Sequence, residues 1–196
     1  LELLAKAGKH FKEVDKIEKF LENNPEIEAF CRFMALRRAN EDRPWREFTT
    51  DRVDEDYYYA WAFTQYVFCR QYDELHRYAA ARGVRIMGDM PIYVALDSAD
   101  VWAEPKCFQL DEKNESASIA GCPPDSFSED GQVWGNPLYR WDFHRSTGYE
   151  WWVTRMWHSF KLYDVVRIDH FRGFDEYFSI PADKGLAKFG HWEKGP

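Results

Sequence analysis

The 196-residue sequence predicts an α/β fold with parallel strands, on three observations. A long helical stretch from about Glu55 to Ala81 runs into a short apolar strand, Val84 to Met87. A second helix, about Tyr149 to Leu162, runs into a second strand over residues 164–169. Helix–strand alternation of this kind builds a parallel sheet, with the ends of successive strands side by side. Between the two pairs lies residues 97–147, rich in Gly, Pro, Asn, Asp and Ser and far longer than an ordinary connection. Long ordered loops tend to carry function.

Residues 11–23 place Val14, Ile17, Phe20 and Leu21 at helical spacing. Asn23, Asn24 and Pro25 end that helix, and Pro25 fits the first turn of the next. Ile27, Phe30, Cys31 and Met34 then give an i, i+3, i+4, i+7 stripe. A polar stretch, Ala39 to Thr50, separates these helices from the rest and predicts a helical subdomain over 1–50 and a larger domain over 51–196. The long helix carries Tyr57, Tyr58, Tyr59, Trp61 and Phe63, which implies burial, and Gly83 fits its C-terminal stop. Gly88-Asp89-Met90-Pro91 closes the first strand. The helix before the second strand carries Trp152, Met156 and Phe160 at helical spacing.

Composition narrows the functional classes. A net charge of −8 argues against a nucleic-acid groove. No apolar run approaches the roughly 20 residues of a membrane span, and Leu1 to His10 lacks the core of a signal peptide. Cys31, Cys69, Cys107 and Cys122 form no CxxC pair and no metal-ligand spacing with His, so reduced thiols in a cytoplasmic protein and no metal are expected. No Gly-rich phosphate loop is present, and no cofactor is expected. Aromatic content is high, 18% with nine Trp. Trp102, Trp134, Tyr139 and Trp141 stand among polar and turn residues, which points to stacking surfaces for flat ligands such as sugars.

VVRIDHFRGF, residues 165–174, carries the most chemistry. Alternation puts Val165, Arg167 and Asp169 on one strand face. Asp169 reads either as a structural carboxylate paired to Arg167 or Arg172, or as a nucleophile kept ionised by Arg167. Asp89, at the end of the other strand, reads either as a turn former or as a site residue near Asp169. GQVWGNPLYRW, residues 131–141, offers Gln132, Trp134 and Asn136 for sugar stacking and hydrogen bonding, or rings that pack the loop. His170 follows Asp169 and faces the other way in an extended strand, as a packing or supporting histidine rather than a base.

At these residues the chain resembles the 4-α-glucanotransferases known as amylomaltases or disproportionating enzymes. GDMPIYVALDSADVW (88–102) looks like the family's third-strand segment, CPPDSFSEDGQVWGNPLYRWD (122–142) like its lid loop, and VVRIDHFRGF followed by YFSIPA (177–182) like its fourth-strand segment. The resemblance implies part of a (β/α)₈ barrel, about the third and fourth strands, with a helical insertion at 1–50 and a lid insertion at about 97–147. It implies a retaining enzyme that moves segments of α-1,4-glucan to another glucan or to glucose. Asp169 matches the family's nucleophile, Arg167 the arginine beside it and Asp89 the aspartate that binds the donor sugar. Gln132 and Trp134 match lid residues that contact the glucan.

The family's acid/base glutamate and its third catalytic aspartate lie on later segments, and Glu193 is in the wrong place to replace the glutamate. An internal fragment, inactive alone, is therefore expected. Two other readings stay open. One is a retaining α-glucanase of the same clan, against which stands Asp97-Ser98 where such enzymes usually show Asn-His. The other is a non-catalytic maltooligosaccharide-binding fragment.

Overall fold

The computed structural model describes residues 2–126 and 128–196; Leu1, in the expected helical subdomain, and Phe127, in the lid segment, lie outside the described residues. The chain divides into two compact units, 1–84 and 85–196.

The first unit is helical: α1 (Glu2–Lys9), α2 (Val14–Glu22), α3 (Pro25–Ala39) and α4 (Glu55–Ala80). Ile17 and Leu21 of α2, Cys31 of α3 and Ala62, Phe63 and Tyr66 of α4 form its core. Pro25 occupies the first turn of α3, where its missing N–H costs nothing. Asp54 caps α4 by accepting from the Tyr57 N–H at 3.0 Å. At the other end Gly83 adopts φ +72°, and the Val84 N–H turns back to the Ala79 carbonyl. α4 packs on the helices before it, so the compact helical unit runs on past residue 50 to residue 84.

Asn40 joins α3 to the polar stretch that follows. It is buried, donates to the Leu36 and Thr50 carbonyls, and accepts from the Thr49 and Thr50 N–H groups. Asn40→Ala strands these backbone groups and is expected to cost about 2–3 kcal/mol of stability, read as a lower urea midpoint at unchanged slope.

The second unit holds two sheets. In the first, β1 (Met87–Pro91) pairs in parallel with β4 (Val165–Asp169), Asp89 facing Arg167 and Pro91 facing Asp169. The crossover between them ends in α7 (Glu150–Leu162), which packs on both strands. The parallel expectation holds, but the first strand begins three residues later than its apolar run. Residues 84–86 stay outside it, and the Ile86 N–H is taken by the Asp164 carboxylate at 2.8 Å. Asp89 consequently lies inside the strand. Gly88 is required there: a Cβ would come within 2.1 Å of the Tyr163 ring.

The second sheet is antiparallel, in the order β3-β2-β5-β6, from β2 (Ser118–Cys122), β3 (Gln132–Pro137), β5 (Glu176–Pro181) and β6 (His191–Lys194). Residues 97–147 are thus structured, with α5 (Ala99–Ala103), β2, β3 and α6 (Trp141–Ser146) inside them. YFSIPA contributes β5 to this sheet and does not join the parallel pair. Tyr139 and Trp141, expected as stacking surfaces, are core rings instead, packed with Phe108, His144 and Trp152. None of the four cysteines is disulfide-bonded. Burial pushes the thiols of Cys31 and Cys107 up to about 12, which leaves them protonated and inert. Among the described residues no helix is long and apolar enough to cross a membrane.

Candidate active site

The parallel pair exposes one face and covers the other. Exposure alternates along both strands, so Met87, Asp89 and Pro91 share the open face with Val165, Arg167 and Asp169. The guanidinium of Arg167 grips Asp89 with two prongs. Its Nε donates to Oδ1 at 2.9 Å and its Nη2 donates to Oδ2. This grip holds the Asp89 carboxyl below its ordinary pKa and raises that of Arg167. Asp169 lies farther away, with its Oδ1 3.7 Å from Arg167 Nη2. The sequence paired Arg167 with Asp169; the structure gives both guanidinium hydrogen bonds to Asp89 and leaves the Asp169 side chain largely open to solvent.

Past the strand ends the chain folds over a cavity of about 170 Å³, lined by Ile92, Tyr93, Trp134, Asn136, Asp169 and His170, with Pro91 at the edge. A complete small-molecule pocket measures roughly 300–1,000 Å³, so this cavity is small for one. Asp169 is the one carboxylate among these residues. Trp134 and Asn136 reach the cavity from β3. The Asn136 amide donates to the Val94 carbonyl at 2.8 Å, and the Trp134 indole N–H donates to Gln132 Oε1 at 2.9 Å. Trp134, Asn136 and Asp169 thus line one cavity, and Gln132 is tied to it through its bond to Trp134. Asp89 and Arg167 lie one step down the strands.

Three residues at this place were not legible as site residues. Tyr93 lines the cavity and packs on both Trp134 and Tyr139. Arg155, on α7, donates to the Pro91 carbonyl at 2.6 Å and the Ile92 carbonyl at 2.9 Å. With the Tyr139 hydroxyl, which also donates to Ile92, it fixes the end of β1. Only the proximity of Tyr93 to the GDMP turn hinted at the first, and nothing local pointed to Arg155. The third, His170, lines the cavity because its backbone is left-handed, φ +55°. Glu193 sits on β6, accepting from the Tyr177 hydroxyl at 2.8 Å, and takes no part in the cavity. Among the described residues no cluster of His, Cys, Asp or Glu could hold a metal ion.

Comparison with known proteins gives this geometry a family. A family model described as 4-alpha-glucanotransferase matches residues 1–196. The chain is 42% identical over a 214-residue alignment to a 4-alpha-glucanotransferase of Streptococcus pneumoniae, covering 99% of this chain and 42% of that protein. It is 39% identical to one of Aquifex aeolicus, covering all of this chain and 43% of the relative. The solved structure of an amylomaltase from Streptococcus agalactiae in complex with acarbose superimposes with a TM-score of 0.92 at 36% identity, over 100% of this chain and 43% of that one. The α/β fold is therefore similar to that of amylomaltase. The chain spans less than half the length of these relatives. On the whole-length model match and these identities, the chain belongs to the 4-alpha-glucanotransferase family.

Proposed function

We propose that this chain supplies the nucleophile side of the active site of a retaining 4-α-glucanotransferase acting on α-1,4-glucans and maltooligosaccharides. The observation that carries the reading is the open strand face, where Arg167 and Asp89 form a two-pronged pair one step below Asp169 at the cavity. In this reading β1 and β4 are one adjacent pair of a (β/α)₈ barrel, about its third and fourth strands. Their open face, with Met87 67% exposed beside charged groups, is the barrel interior. Residues 1–50 are a helical insertion and about 97–147 the lid insertion.

In the reaction the Asp169 carboxylate attacks the anomeric carbon as the glycosidic bond to the leaving glucan breaks, giving a covalent glycosyl-enzyme. A second carboxylic acid, about 5–5.5 Å away in retaining enzymes, protonates the leaving oxygen. The 4-hydroxyl of an acceptor glucan then displaces Asp169, its proton passing to that second group. Asp169 is the cavity's one carboxylate, so the second group is assigned to sequence that the longer relatives carry beyond this chain's span. Asp89 binds hydroxyls of the donor sugar. Each of its oxygens accepts one bond from Arg167 and keeps capacity for another. Trp134 stacks on the glucan and keeps water from the intermediate, while the Gln132 amide and the Asn136 carbonyl oxygen bond its hydroxyls.

A chimera tests the reading. This chain replaces the matching segment of the S. pneumoniae relative, and products from maltotriose are separated. Glucose and oligomers longer than maltotriose are expected from the chimera, and neither from the isolated chain. A folded chimera that leaves maltotriose unchanged contradicts the proposal.

A further inference from the structure

We infer that His170 is a positioning residue, holding the Trp134 ring over the cavity beside Asp169; the inference rests on the proposed glucan site. An extended strand would turn His170 away from Asp169's face. The left-handed backbone at φ +55° instead brings its ring to the cavity. Few non-glycine residues adopt this conformation, and it persists where packing secures it. The packing is visible: the imidazole meets the Trp134 indole edge to face, with centroids 4.9 Å apart and planes at 86°. Trp134 is 36% exposed, and a second ring contact, with Tyr93, is longer at 6.2 Å.

Trp134 belongs to β3 of the antiparallel sheet and His170 follows β4 of the parallel pair, so this contact ties the lid strand to the nucleophile's own strand. The imidazole Nε2 is buried and makes no hydrogen bond to another described residue. Burial lowers the His170 pKa below the ordinary imidazole value, against the opposing pull of Asp169 and with help from Arg172, so the ring is uncharged at neutral pH.

The test uses the full chain labelled with 5-fluorotryptophan, whose nine tryptophans give separate ¹⁹F signals. Trp134→Phe identifies the Trp134 signal by its loss. His170→Ala is expected to shift that signal and leave the others in place. His170→Asn, which tolerates the left-handed backbone but has no ring, is expected to match it. His170→Phe, which keeps a ring, is expected to bring the signal back towards its original position. Should the Ala variant unfold, the Asn variant carries the comparison.

A second arm titrates maltoheptaose. The concentration that half-shifts the Trp134 signal is expected to rise about 2- to 10-fold in His170→Asn, the worth of an edge-to-face pair, and to recover in His170→Phe. A Trp134 signal unmoved by His170→Ala and His170→Asn overturns the inference. If maltoheptaose leaves Trp134 unmoved in the unaltered chain, the glucan reading fails, and the first arm alone decides the ring-positioning role.

Discussion

Asp169→Asn in the chimera is expected to lower transfer from maltotriose by at least about 1,000-fold, the scale seen when a nucleophile is removed. An amide of the same shape cannot form the glycosyl ester. The loss should be chemical rather than structural, because Asp169 is largely exposed and its nearest cation, Arg167, is committed elsewhere. Maltoheptaose binding and the unfolding midpoint should therefore stay close to those of the parent. Steady-state rates and binding measured on one preparation check both halves. Retained turnover would assign the nucleophile to another residue.

Arg167→Lys should be the next most damaging change, although it keeps the charge. A lysine ammonium is a single point and cannot reproduce the two-pronged grip on Asp89. Asp89 then rotates freely, and misplacement of about 1 Å at a reacting centre costs on the order of 100-fold in rate. The fall should appear in kcat/KM. Combined with Asp89→Asn, the loss should be far less than the product of the two single losses, since both changes break one unit. Full additivity would show that Arg167 acts independently of Asp89.

That pair also shows how far the sequence could be read. Alternation placed Arg167 and Asp169 on one face as an ion pair, which the structure keeps at 3.7 Å, but both guanidinium hydrogen bonds go to Asp89. Residues two apart in a strand are separated by roughly 6.6 Å, whereas neighbours across a sheet are about 4.8 Å apart. Asp89, directly across from Arg167 in the register, therefore takes the hydrogen bonds. Cross-strand register is not written in any local pattern. The same gap hid the antiparallel sheet: β3 reads QVWGNP, with glycine and proline where a strand signal is sought, and β6 is only four residues long.

Helices were more legible because their signals are local. The stripes over Val14–Leu21 and Ile27–Met34, and the Asn-Asn-Pro break between them, mark α2 and α3 closely. Residues 84–86 misled in the opposite way. They look like a strand by composition, but pairing with β4 begins only at Met87. Tyr139 and Trp141 looked like ligand platforms from their polar neighbours, yet their rings turn into the core while the backbone runs as a loop and helix start. Trp134, in the same segment, alone among these three keeps an open face at the cavity.

The central claim is that Asp169 forms the covalent bond to the donor sugar. Trapping tests it most directly. The chimera is incubated with a fluorinated glucosyl donor whose glycosyl-enzyme hydrolyses slowly, then digested, and the labelled peptide is sequenced by mass spectrometry. The account predicts one glucosyl adduct, on the peptide containing VVRIDHFRGF and on Asp169 within it. An adduct on Asp89 or on any other carboxylate would contradict it.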